Sequence, residues 1–82
     1  MHKIEWKENA IKEIEKLEVN ISRRIYIKVN ELAENLYSQD IKRLKGVNAF
    51  RLRVGDYRVI FEVDEKVIQI LKVGHRKNIY KR

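Results

Sequence analysis

Cysteine and proline are absent from this 82-residue chain, and histidine occurs only as His2 and His75. Without cysteine there is neither a disulfide framework nor a thiolate metal site, and two histidines are too few for the usual zinc cages. No metal and no cofactor is therefore expected. Long hydrophobic runs are also missing: the apolar stretches are strand-length, too short to cross a membrane as a helix. The opening Met1-His2-Lys3-Ile4-Glu5 lacks the apolar core of a signal peptide. These absences point to a soluble, cytoplasmic protein that makes no use of a membrane. The length allows one domain, residues 1–82, and a domain of this size buries roughly 60% of the surface its unfolded chain exposes. The lack of proline and cysteine beside abundant Lys, Glu and Ile resembles the composition of thermophile proteins.

What is present is basic, and unevenly so. Residues 1–40 hold seven Lys/Arg against eight Asp/Glu, whereas residues 41–82 hold twelve against four, so the whole net charge of +7 comes from the second half. A balanced first half joined to a strongly basic second half is the footprint of a protein that binds polyanions with one face. The alternative is a merely solvated, solubilising surface.

Periodicity gives a β-α-α-β-β-β order. His2 to Trp6 alternates weakly and reads as a first strand. A first helix is expected from about Glu8 to Leu17, with Ala10, Ile14 and Leu17 on one stripe. Asn20 is a plausible N-cap for a second, longer helix whose stripe is Ile21, Ile25, Val29, Leu32 and Leu36. Residues 37–48 read as a connecting loop that carries the basic run Lys42-Arg43-Leu44-Lys45 ahead of Gly46. Three strands follow. The expected class is α+β: an N-terminal strand, a helical hairpin, and a three-stranded antiparallel meander forming one small sheet packed on the helices.

The segment from Phe50 to Phe61 is the most informative. Apolar residues alternate with Arg51 and Arg53, and Gly55-Asp56 is a two-residue turn with glycine first, as a type II′ hairpin prefers. Closure there sets Val54 opposite Tyr57, Arg53 opposite Arg58, Leu52 opposite Val59 and Phe50 opposite Phe61. Two arginines then face each other with Arg51 on the same side. Like charges directly opposite are destabilising, so such a face suits an anion lying over it. A second turn at Asp64-Glu65 leads into Val67 to Val73, apolar on both faces except at Gln69, hence interior to the sheet. If that turn is also two residues long, Leu71 pairs with Arg58, and Arg76 lies just beyond. Arg53, Arg58 and Arg76 then converge at one end of the sheet. Tyr80 could offer a ring for a base to stack on, or could anchor the tail by packing on the sheet.

Taken together, Leu44-Lys45-Gly46, Phe50-Arg51-Leu52-Arg53, Gly55-Asp56-Tyr57-Arg58-Val59-Ile60-Phe61, Val73-Gly74-His75-Arg76 and the late Tyr80 resemble the RelE/ParE toxin superfamily of prokaryotic toxin–antitoxin systems, in an archaeal-like form. The resemblance spans nearly the whole chain. It implies an mRNA interferase: a metal-independent endoribonuclease that cuts messenger in the ribosomal A site through the substrate's own 2′-hydroxyl, arresting translation until a cognate RelB-type antitoxin neutralises it in a hetero-oligomeric complex. By the same resemblance Arg58 matches the transition-state arginine, Arg76 the arginine near the leaving group and Tyr80 the tyrosine that orients the nucleotide. Arg51 and Arg53 match two basic strand positions. Lys42, Arg43, Lys45 and Lys77 would contact RNA or ribosome.

Relatives can carry lysine where Arg51 and Arg53 stand. Arginine stays protonated and is a poor base, so the proton acceptor is open. His75 is the nearby side chain that ordinarily titrates near neutrality and is the candidate, against a strand-end histidine bonded to backbone or pointing to solvent. Two other readings fit the same fold: a ParE-like toxin that inhibits DNA gyrase without RNase activity, and a basic RNA-binding module without catalysis or a degenerate toxin.

Overall fold

A computed structural model describes residues 2–36, 40–46 and 48–79. Strand β1 (Lys3–Trp6) leads into helix α1 (Glu8–Glu15) and helix α2 (Val19–Glu34). Strands β2 (Ile41–Arg43), β3 (Phe50–Val54), β4 (Tyr57–Asp64) and β5 (Val67–His75) follow. The α+β class is as expected. The sheet has five strands, one more than the N-terminal strand and three-stranded meander expected, and its order is β1-β5-β4-β3-β2, with β1 parallel to β5 and every other pair antiparallel. β5 is thus interior, as its apolar run implies.

The extra strand lies in the segment read as loop. Ile41, Lys42 and Arg43 pair with Leu52, Arg51 and Phe50. Three residues, two of them basic, give too little alternation to announce a strand, yet short, lysine-bearing strands are how proteins blunt a sheet edge.

Helices form where their stripes have something to cover. Ala10 and Ile14 of α1 and Ile25, Val29 and Leu32 of α2 are buried against Leu52, Val54, Val59, Phe61, Ile68, Ile70 and Val73, with Leu17, Ile21 and Leu36 packed at the margin. Asn20 does not cap α2. Glu18 holds that position without a side-chain hydrogen bond, its carbonyl accepting the amides of Ile21 and Ser22 at 3.0 and 2.9 Å. Leu17 in the tight connection and Ile21 in the first turn of α2 both pack against the core, and this packing overrides the capping preference.

The β3–β4 hairpin has the register set by Gly55-Asp56, with Arg53 opposite Arg58 and Phe50 opposite Phe61. Gly55 has φ +59 and Asp56 does not share the left-handed region, the pattern of a type II′ turn. A Cβ at Gly55 would also stand 3.2 Å from Arg24 Nη2. Gly55→Val should therefore destabilise the protein by about 1–2 kcal/mol, the cost of a left-handed conformation for a residue with a Cβ. Urea unfolding checks this.

The β4–β5 register departs from expectation twice. The turn is Glu65-Lys66, so Asp64 pairs with Val67, and the ladder breaks between Ile60 and Phe61, which pair with Lys72 and Ile70. Leu71 is the extra residue of a β-bulge. Together the two changes place Gly74, not Leu71, opposite Arg58.

Candidate functional site: a cationic sheet face

Paired residues on neighbouring strands share a face, so the register defines what each face carries. The helices cover one face. On the other, Lys42, Arg51, Ile60 and Lys72 form one row across four strands, and Arg53, Arg58 and Gly74 form the next. A small apolar cluster of Ala49, Ile60 and Ile79, with Leu44 and Leu71 beside it, floors this face. Gly74 makes room for it: a Cβ there would lie 3.2 Å from Ile79 Cδ1. The turn after β5 folds back by donating the amides of Asn78 and Ile79 to the His75 carbonyl, at 2.8 and 3.0 Å.

The arginines are held by the hairpin. Arg58 Nη1 donates to the carbonyls of Gly55 (2.8 Å) and Tyr57 (2.9 Å). The Arg76 amide donates to the Asp56 carbonyl at 2.8 Å, and Arg76 Nε stands 3.8 Å from Asp56 Oδ1, an exposed ion pair worth little by itself. Arg53 Nη2 donates to Asp40 Oδ1 at 3.0 Å, while its amide donates to the Asp40 carbonyl at 2.9 Å. Asp40 and the turn carbonyls thus offset part of the repulsion between Arg53 and Arg58. Arg51 differs: its Nε is buried and, among the described residues, has no hydrogen-bond partner. A buried donor left unmade is costly, and an acceptor brought by a ligand would relieve it.

The structure therefore brings Lys42, Arg51, Arg53 and Arg58 onto one face with Arg76 at its end. Lys45 is exposed in the β2–β3 connection and Lys77 in the last turn. Arg43 shares its row with Phe50 and Phe61, at the rim of the helix-covered side. His75 is also parted from the arginines. It pairs with Tyr57, their rings meeting edge-on at 5.3 Å, and its Nδ1 accepts the Lys77 amide at 3.1 Å. That bond puts the proton of a neutral ring on Nε2 and occupies the lone pair a base would use. The bulge is the cause. In the register expected from sequence, Leu71, Val73 and His75 alternate onto the face of Arg58; the extra residue reverses that parity. Tyr80 lies outside the described residues.

Sequence reasoning missed Lys72, displaced onto the arginine face by the same bulge. It also missed Asp40 and Asp56, whose roles depend on tertiary approach. Among the described residues no three His, Cys, Asp or Glu side chains are grouped so as to hold a metal ion, and no helix is long and apolar enough to cross a membrane.

Known proteins share both this sequence pattern and this fold. Residues 4–80 match the family described as the ParE toxin of type II toxin–antitoxin systems, parDE. The chain belongs to that toxin family. It is a toxin of the RelE type: it is 34% identical over 83 residues to Toxin RelE3 of Methanocaldococcus jannaschii, covering 95% of this chain and 94% of the relative. Its fold matches the toxin in the RelB–RelE antitoxin–toxin complex from Methanococcus jannaschii with a TM-score of 0.78 and 33% identity, over 92% of this chain and 93% of that one. The archaeal RelE–RelB complex from Pyrococcus horikoshii OT3 gives 0.81 and 28%, over 94% and 97%.

Proposed function

We propose that this RelE-type toxin is a ribosome-dependent endoribonuclease that cuts messenger in the A site. The observation that carries this reading is the pair of cationic rows on the helix-free face, Lys42–Arg51 and Arg53–Arg58, with Arg76 tied to the hairpin at their end. The 2′-oxygen of the substrate attacks the adjacent phosphorus, the bond to the 5′-oxygen breaks, and a 2′,3′-cyclic phosphate and a 5′-hydroxyl result. Charge grows on the phosphorane oxygens and on the leaving oxygen as this happens. Donors fixed in advance stabilise that charge without reorganising. Arg58 faces the phosphorane, Arg76 the leaving oxygen, and Arg51 and Arg53 the flanking phosphates. Arginine keeps its proton, so these four are donors and counter-charges; the proton lost from the 2′-oxygen is matched by the one gained by the 5′-oxygen, and neither transfer is to or from these four. Tyr80 orients the base. Lys42, Arg43, Lys45 and Lys77 make salt-sensitive contacts with messenger and ribosomal RNA.

Neutralisation falls to a RelB-type antitoxin, in a cytoplasmic hetero-oligomeric complex. The solved archaeal relatives are complexes of RelE with RelB. An acidic segment would suit the cationic face, and an amphipathic helix would suit the exposed apolar residues Val19, Tyr26 and Ile27 of α2.

The family description names ParE, which favours a second reading as a gyrase inhibitor. Expression without antitoxin separates the two. Arrested translation with breaks mapped inside the codons of translated messenger is the expected outcome; gyrase-dependent DNA damage with intact messenger would establish the other.

A further inference from the structure

β1 covers β5 only as far as Ile70, where Trp6 pairs with Ile70 and the Lys7 amide donates to the Ile70 carbonyl at 2.9 Å. Beyond that point the outer edge of β5 has no neighbouring strand among the described residues, and the bulge at Leu71 lies there. The chain turns from β1 straight into α1, and two α1 side chains one helical turn apart take the strand's place. Glu13 Oε1 accepts the Val73 amide at 2.8 Å. Asn9 Nδ2 donates to that same Glu13 oxygen at 3.3 Å and, at 3.5 Å, to the Leu71 carbonyl. The two backbone groups so engaged bracket the bulge. A carboxylate accepting an amide is a charge-assisted bond, stronger than a neutral one, and Glu13 is half-buried, which limits competition from water.

The bulge decides where Arg76 goes. Without its extra residue, the ladder that starts at Asp64–Val67 would carry on to Arg58 opposite Val73, and Arg76 would overrun the hairpin turn. With it, Arg58 meets Gly74 and the Arg76 amide meets the Asp56 carbonyl. We propose that Glu13 and Asn9 are positioning residues: they clamp the β5 bulge and thereby set the register that holds Arg76 beside Arg58. This rests on the endoribonuclease reading for its kinetic consequence, but not for its structural one. Neither side chain belongs to the arginine rows, so the clamp acts entirely through β5.

The test uses the full chain, with amide exchange by NMR and single-turnover cleavage on programmed ribosomes. Glu13→Met removes the acceptor at similar length, and Glu13→Gln keeps an acceptor oxygen. In Glu13→Met, exchange of the Val73 and Arg76 amides should quicken about tenfold or more as the local structure opens. The cleavage step should fall between about tenfold and about 10²-fold, as small misplacements of reacting groups do, with ribosome affinity held within about twofold. Glu13→Gln should recover most of both losses, which a general loss of stability would not predict. A folded Glu13→Met with a protected Arg76 amide and the parent cleavage rate overturns the clamp. Should Glu13→Met fail to fold, Asn9→Ala at an exposed position carries the same test: smaller changes in the same direction are expected, and parental exchange and rate overturn the proposal. If the parent protein cuts nothing on ribosomes, the endoribonuclease reading falls while Arg76 exchange still decides the clamp.

Discussion

Arg58→Ala and Arg76→Ala should each lower single-turnover cleavage by about 10² to 10³ while leaving ribosome affinity nearly unchanged, the loss typical of removing one preorganised donor to a developing oxyanion. Both residues are tied to one small structure: Arg58 Nη1 to the carbonyls of Gly55 and Tyr57, and the Arg76 backbone to Asp56. The Arg58 side chain is thereby fixed, and the Arg76 side chain, exposed and only loosely paired with Asp56, projects from a fixed backbone position, so both present donors to the transition state from one small structure. Lys42→Ala should behave oppositely. Its residue pairs with Arg51 on the exposed edge strand β2, where a lysine acts as a screened point charge, so binding should weaken, with the slope of log affinity against log salt changing by about one. Cleavage at saturation should hardly change. Rates measured on saturated complexes, at several salt concentrations, separate the two groups. Parental rates for both Arg58→Ala and Arg76→Ala at saturation would make the arginine face a docking surface only.

Phe61→Ala should have the largest effect on stability. Phe61 is 1% exposed, its ring stacks on Phe50 at a centroid distance of 5.5 Å and an interplanar angle of 20°, and it sits in a row with Phe50 and Ile70 across the middle of the helix-covered face. Emptying such a site costs about 3–5 kcal/mol, and a small domain has only about 5–15 kcal/mol in all. The midpoint of urea unfolding should fall sharply with little change in slope. Phe61→Leu, which leaves most of the volume filled, should cost clearly less. A midpoint within error of the parent for Phe61→Ala would contradict the core described.

Part of this architecture is legible in the amino-acid sequence. The β3–β4 hairpin can be read because two independent signals, the alternation around Arg51 and Arg53 and the glycine-first turn, demand one register. The stripes of α1 and α2 and the interior place of β5 are legible because burial writes its period into the side chains. The remainder is hidden for physical reasons. β2 is three residues long and mostly basic, so it leaves no periodic trace. The bulge at Leu71 is invisible in a run such as Val67 to Val73, where both faces are apolar and either parity looks the same. Its supports, Asn9 and Glu13, lie some sixty residues away in sequence. That single hidden residue moves the partner of Arg58 from Val73 to Gly74, carries His75 to the far side of the sheet and brings Lys72 onto the near one.

A transesterification by the arginine face on ribosome-bound messenger leaves its signature in the new RNA ends. The decisive experiment supplies purified protein with ribosomes holding a defined codon in the A site, keeps the magnesium the ribosome itself needs while chelating other metals, and determines the chemistry of those ends. Cleavage within the codon is expected, dependent on the ribosome, leaving a 2′,3′-cyclic phosphate and a 5′-hydroxyl. A 5′-phosphate at the cut, which requires an activated water, or no cleavage by the saturated complex, would contradict it.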